Sequence, residues 1–300
     1  MERKRLIAII ELILAVLAWG GSFVATKVAL QQVSPATIIW LRFGIGVLIL
    51  GLATLARRQF AVPSRRDLGY FALLGFIGIT FHQWLQANGL KTAQATTTAW
   101  IVATTPIFIA LLGWLVLKEK LGRLQITGIL LAALGVLLVV SRGDLAALAN
   151  GGFGAPGDFL ILLSSPNWAV FSVLSRRGLR QYPAARMMLY VMGLGWLFSS
   201  AYLFAGPGLS EIGQLSHTGW LAIAFLGVFC SGLAYIFWYD GLQALPVAQA
   251  GAFVYLEPFV TVLVAAAVLA EPLLWASLLG GGLILAGVWL VQRQGIRDRG

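Results

Sequence analysis

The segment from Gly75 to Val139 is written twice. Shifted forward by 152 positions it falls without a gap on Gly227 to Val291, so that Gly89 and Leu90 land on Gly241 and Leu242, Pro106 on Pro258, Glu119 on Glu271, Gly128 on Gly280, and Gly135 and Val136 on Gly287 and Val288. Upstream, Trp19 and Lys27 are answered by Trp168 and Arg176 at a common offset of 149. A repeat of this length constrains a chain more than any local motif, because both copies must fold alike and then pack against each other.

What the repeated unit is follows from hydropathy. Hydrophobic residues make up 59% of the chain and charged residues 11%, with a mean hydropathy of +0.88, whereas soluble domains are about 25% charged. The apolar residues fall in runs of roughly 20, the length a helix needs to cross a hydrocarbon core of about 30 Å. The alternating segments of a membrane barrel are absent from the sequence. The expectation is an all-α polytopic membrane protein with about ten transmembrane helices, arranged as two inverted five-helix repeats. The runs cover residues 6–30, 34–56, 68–90, 93–117 and 124–140, then 158–174, 184–205, 220–242, 247–270 and 273–291, with Pro207-Gly208 and Leu245-Pro246 marking turns. This divides the chain into a first repeat (1–143), a linker rich in Gly, Ala and Asn (144–157), a second repeat (158–293) and a short tail (294–300).

The first run competes with a signal peptide cleaved near Ala18. Its removal would leave Trp168 and Arg176 without their counterparts, so the run is read as a retained span. The single cysteine, Cys230, offers neither a disulfide framework nor a metal-type pair.

A net charge of +10 and a pI near 10.3 raise the possibility of nucleic-acid binding, but the charges flank the spans instead of forming a basic patch interleaved with aromatics. With the N-terminus inside, only Lys27, Arg42, Lys91 and Arg142 fall outward, leaving 17 of the 21 basic residues on the inner side. That asymmetry predicts both termini in the cytoplasm, in a bacterial plasma (inner) membrane. Five spans per copy is an odd number, so the second copy runs the opposite way. The charges follow: Lys118 and Lys120 flank Glu119, whereas Ala270 and Pro272 flank Glu271.

Inverted repeats supply two related conformations about a midplane site, which is the logic of alternating access. The residues then carry a resemblance. Trp19-Gly20-Gly21-Ser22-Phe23-Val24-Ala25-Thr26-Lys27, Arg42, Pro106-Ile107-Phe108 leading to Leu117-Lys118-Glu119, Gly128 to Gly135, Leu256-Glu257-Pro258, Ala270-Glu271 and Gly280 to Gly287 resemble the EamA family of the drug/metabolite transporter superfamily over nearly the whole chain. The resemblance implies a five-plus-five carrier with a central cavity lined mainly by spans one, three, four, six, eight and nine. It also implies movement of amino acids and other metabolites, usually outward.

Polar and aromatic residues within the spans are the candidates for that cavity. Gly75, Gly78, His82, Gln86 and Gly89 form one helical stripe in span three. Thr97, Trp100 and Thr104 do so in span four, Ser164, Trp168 and Ser172 beside Pro166 and Asn167 in span six, and Ser231, Tyr235 and Tyr239 in span eight. Small residues are also the ordinary means by which membrane helices pack closely, whereas polar side chains at membrane depth face the bundle interior or a wet cavity. Pro106 and its mate Pro258 favour kinks, with a structural or a gating role. The expected substrate cavity comprises Trp19, Ser22, His82, Gln86, Trp100, Thr104, Asn167, Trp168, Tyr235, Tyr239 and Tyr255.

Among the acidic residues, Glu257 has Thr105 as its repeat mate and so is not part of the symmetric scaffold. It is read either as a structural carboxyl bonded to a neighbour or as a proton-coupling group, with Glu11 as a second coupling candidate. Asp240 is expected at the inner interface, and Glu119 and Glu271 as a symmetric pair with capping or packing roles. Lys27 is placed to snorkel to the outer headgroups. Arg42, about 12 Å into its span at ~1.5 Å per residue, requires carbonyls or a carboxylate as partner and could also attract an anionic solute.

His82 and His217 have no metal spacing, and no nucleophile, base and orienting group come together. The expectation is therefore a transporter with no cofactor, not an enzyme. Its partners are a small-molecule substrate, the lipid bilayer and protons, and no nucleic acid. An uncoupled facilitator, an importer, and a non-transporting scaffold or sensor are the alternatives.

Overall fold

A computed structural model describes residues 2–118, 121–144, 146, 154–245 and 247–297. Among these residues ten helices are long and apolar enough to cross a membrane. They are α1 (Glu2–Leu30), α2 (Pro35–Ala56), α3 (Arg65–Gly89), α4 (95–117), α5 (Arg123–Val140), α6 (Pro156–Gln181), α7 (Ala184–Phe204), α8 (His217–Ala244), α9 (247–269) and α10 (Trp275–Arg297). Span six runs several residues beyond its expected end, and a short helix at Gly208–Ile212 was not anticipated. Glu119, Lys120, Pro246, most of the expected linker and the last three residues of the expected tail lie outside the described residues. Exposed Leu48, Leu52, Leu130 and Leu263 give the bundle the apolar outer surface that lipid requires.

Local sequence sets the helix ends. Pro35 follows Ser34 into the first turn of α2, where a missing N–H costs nothing. The Ser64 side chain accepts from Asp67 N at the start of α3, and Asp158 in α6 reaches back to accept from Ala155 N. Two helices end instead on a left-handed residue that is not glycine: Lys118 (φ 55°) after α4 and Ala270 (φ 52°) after α9. These positions are 152 apart, so the repeat preserves an unfavourable backbone state in both copies.

Other irregularities recur at the same offset. A π-helical stretch, Phe76–Phe81, interrupts α3, and shifting it by 152 positions lands inside a second one, Phe225–Leu233, in α8. In α4 the helix stops after Val102 and restarts at Thr105; in α9 a 3-10 turn at Val254–Leu256 precedes a restart at Glu257. Pro106 and Pro258 therefore sit in the first turn of a new helical segment instead of obstructing a continuous one.

The copies pack as an inverted pair. A methyl group added at Gly128 of α5 would lie 2.5 Å from the Gly287 carbonyl oxygen of α10, and one at Gly135 would lie 2.5 Å from that of Gly280. Shifting by 152 turns each of these pairs into the other, as a twofold axis in the membrane plane demands. The same relation links Gly46 of α2, packed on Ser231 of α8, with Gly195 of α7, packed on Ile79 of α3. Small residues bring the backbones close enough for dispersion to replace the hydrophobic drive that lipid does not provide.

Candidate functional site

The most polar part of the interior is built around Arg42. Its guanidinium is buried in α2, with the residue 8% exposed. Nε donates to Ser231 Oγ of α8 at 3.1 Å and Nη1 to Gln83 Oε1 of α3 at 3.3 Å, while the group also lies 4.9 Å from the centre of the Phe43 ring. Among the described residues no carboxylate stands within ion-pair distance of it. Of the expected partners, carbonyls or a carboxylate, the side-chain carbonyl oxygen of Gln83 is present, and the second partner is a neutral hydroxyl. Arg42 faces a cavity whose polar wall is completed by Ser22, Thr26, Gln83 and Gln86, with Phe23 and Leu90 on its apolar side. The cavity is water-sized. Ser22 and Thr26 donate their hydroxyl protons to backbone carbonyls one turn back, which leaves oxygen lone pairs available.

One helical turn nearer the termini, Trp19 packs against Tyr235 and Trp238, with ring centres 5.8 and 5.4 Å away. Its Nε1 donates to the Cys230 carbonyl at 3.1 Å, inside the π stretch of α8. Asn167 of α6 makes the corresponding contact in the other copy, donating from Nδ2 to the Ile77 carbonyl of the α3 π stretch at 2.9 Å. π-helical turns leave carbonyls displaced from the regular ladder, and each is met here by a side-chain N–H from the helix that begins the opposite repeat.

Tyr235 and Tyr239 line a second water-sized cavity, beneath a salt bridge between Arg57 and Asp240. Glu11, half-buried on α1, stands within electrostatic reach of that pair. His82 is buried, its ring 4.7 Å from that of Trp168, which in turn stacks on Phe171; His82 Nδ1 has no partner.

The remaining expected residues lie apart from both cavities. Trp100 is buried between α4, α9 and α10, edge-on to Phe259 and directly over Gly281, with its Nε1 unpartnered. Thr104 donates to Ile101 O within the break of α4. Tyr255, in the matching 3-10 turn, donates its hydroxyl to Gln292 Oε1. Glu257 opens the restarted part of α9, half-buried, and its backbone carbonyl accepts from Thr261 Oγ1 and lies against Gly20. Its carboxyl makes no hydrogen bond among the described residues.

The side of the bundle opposite the termini is closed by bonds between the repeats. Both oxygens of Glu271 cap α4, accepting from Ala95 N at 2.8 Å and Thr96 N at 3.0 Å, the capping role expected of it. Glu211 accepts from Ser34 N at 2.8 Å and Thr37 Oγ1 at 2.7 Å. Partial burial pushes the Glu211 carboxyl up, but these bonds together outweigh it and hold the group below its ordinary value. Gly157 N donates to Thr92 Oγ1 and Ser216 N to Gln32 Oε1, both at 2.8 Å. Lys27, half-buried, donates its ammonium to the Ala93 carbonyl in the loop between α3 and α4.

Thr26 and Gln83 were not among the expected cavity residues, and Arg42 stood outside that set as a charge that needs a partner and could also attract an anionic solute. The residues expected on one stripe of α3 divide between two sets of neighbours. Gly78 and His82 meet Phe171 and Trp168 of α6, whereas Gln83 and Gln86 turn to the Arg42 cavity.

Ten spans in two inverted copies, enclosing polar and aromatic side chains at membrane depth, define a membrane carrier of small molecules. The sequence profile of the EamA-like transporter family matches residues 6–141 and again 155–293, and the chain belongs to that family. An uncharacterized transporter of Archaeoglobus fulgidus is 28% identical, with 93% of this chain and 95% of that one covered. A protein of Streptantibioticus cattleyicolor named as a probable terminal-alkyne amino-acid exporter is 27% identical, over 97% of this chain and 95% of its own. A Salmonella typhimurium protein named as a probable amino-acid metabolite efflux pump is also 27% identical, over 93% and 92%. A protein of known crystal structure, 22% identical, superimposes over all of both chains with a TM-score of 0.66 and shares the fold.

Proposed function

We propose that the chain is a secondary-active exporter of amino acids or similar amphipathic metabolites, working by alternating access in a bacterial plasma membrane with both termini in the cytoplasm. The observation that carries this reading is the pairing of backbone breaks. The π stretches of α3 and α8 and the interruptions of α4 and α9 are symmetry mates, and the two π stretches carry the carbonyls that Trp19 and Asn167 meet in the interior. Such breaks are points at which one copy can adopt the other's shape. The names of the two amino-acid-exporting relatives support the solute class, and the 17 basic residues on the terminal side support the orientation. Glu257, whose carboxyl has no partner beside the α1 crossing, is the coupling group in this reading, with Glu11 next.

Flux from vesicles reconstituted with the purified chain tests it, using a panel of amino acids and amphipathic cations with and without a pH gradient. Solute release accelerated by the gradient supports coupled export. Release indifferent to it describes a facilitator, and no flux of any solute returns the chain to a scaffold. His82→Ala and Trp168→Ala should alter flux at near-normal expression.

A further inference from the structure

We propose that Arg42 is the anchor for a carboxylate of the transported solute, which makes the solute a small organic acid, α-amino acids included. The inference rests on the transport reading above but stands on separate observations. Arg42 is more than nine-tenths buried in a membrane span and faces a cavity. Its bonded partners are both neutral, Ser231 and Gln83. The titratable groups in its field are the Cys230 thiol, the Tyr235 phenol and the His82 imidazole, none of which is an acid that ordinarily ionises below neutral pH to supply a negative charge. A buried charge without a counter-charge is among the most costly arrangements in a membrane protein, and a permanently cationic guanidinium cannot relieve it by losing a proton.

The bonding pattern leaves room for an anion. Of the five guanidinium N–H donors, one on Nε and one on Nη1 are used, and three remain, enough for the two-point hold that a carboxylate accepts from arginine. Gln86, on the same wall, makes no side-chain hydrogen bond among the described residues and can offer its amide N–H groups. Ser231 and Gln83 hold the fork from α8 and α3, the two helices interrupted by π stretches, so a bound anion would pull on both copies together. The apolar body of the solute would extend one turn towards Trp19 and Tyr235, whose rings meet at 5.8 Å.

The test is thermal unfolding of the purified full chain in detergent, with leucine, phenylalanine and threonine, with their amides, and with chloride and phosphate. At least one amino acid should raise the melting temperature of the wild type, and its amide, which lacks the negative charge, should need roughly tenfold or more higher concentration for the same shift. Arg42→Gln should abolish that preference and Arg42→Lys retain part of it. If Arg42→Gln does not fold, the acid-against-amide comparison on the wild type still decides. Amides as effective as acids, no acid producing a shift, or chloride or phosphate matching every acid would each overturn the proposal. Flux separates the two readings: vesicles that carry amines or amides but ignore carboxylates leave transport standing and remove the role of Arg42, whereas absence of all flux removes transport itself.

Discussion

Arg57 at the end of α2 and Asp240 in α8 hold each other through two parallel hydrogen bonds of 2.8 and 2.6 Å, tying one repeat to the other on the side of the chain termini. The side chains are 36% and 25% exposed, so the pair adds no more than about 1 kcal/mol to folding. Both residues line the Tyr235–Tyr239 cavity, so in the proposed alternating-access cycle the pair would bear on the balance between open and closed forms. Asp240→Asn is expected to leave the melting temperature almost unchanged while raising the labelling of a cysteine at position 243 by a membrane-impermeant maleimide, in a Cys230→Ala background. Unchanged labelling would assign the bridge to the fold alone.

Glu271 closes the other side by capping a helix of the opposite repeat. Glu271→Ala leaves two N–H groups at the start of α4 without their acceptor and should cost about 1–3 kcal/mol, read as a lower melting temperature in detergent. Glu271→Gln, which keeps one acceptor oxygen, should fall between the two. A variant as stable as wild type would show that solvent replaces the cap at no cost.

Glu211 makes the closure of that same side depend on pH. Its folded-state value lies below the ordinary 4.5, so its contribution is fully present above 4.5 and is lost as pH falls through the lower folded value. The stability difference between wild type and Glu211→Gln should therefore be largest near neutrality and vanish in acid. Melting curves from about pH 7 to about pH 3 check the sign; a difference that grows on acidification contradicts it.

The glycine contacts of α5 and α10 give a paired test. At Gly135 an added methyl meets the Gly280 backbone oxygen at 2.5 Å, and no rotamer can relieve a clash with backbone. Gly135→Ala should cost about 1–3 kcal/mol. At Gly282 nothing lies within 4 Å, so Gly282→Ala should be neutral or stabilising by up to about 1 kcal/mol through helix propensity.

Energy coupling rests on Glu257 in the proposed mechanism. Glu257→Gln should keep exchange of solute for solute and lose the flux driven by a pH gradient. A variant driven as well as wild type moves the coupling to Glu11 or His82.

The architecture was legible because membrane spans need only length and apolarity, and because inversion follows from an odd span count joined to the charge asymmetry. The Glu271 cap was legible from its place in the repeat. The arrangement of side chains was less so. Gly75 shares a stripe with Gly78 and His82 only while α3 keeps 3.6 residues per turn; Gly75 instead meets Val191 and Gly195 of α7 while Gly78 meets Phe171 of α6, and nothing in the residues 76–81 announces a π turn. Trp100 has the position of a cavity wall in sequence, but the missing side chain at Gly281 of α10, far along the chain, gives its ring a place between helices. Arg42 was visible as a buried charge, but the neutrality of its partners depends on which helices become its neighbours.

The seam between α5 and α10 has a further consequence. At Gly128 with Gly287, and again at Gly135 with Gly280, backbone meets backbone with no side chain between. Glycine has no rotamers to surrender, so these contacts form without the loss of side-chain freedom that accompanies most helix interfaces. In the proposed alternating-access cycle the two helices would then serve as a stator, with the disorder gained or lost confined to the spans that shift.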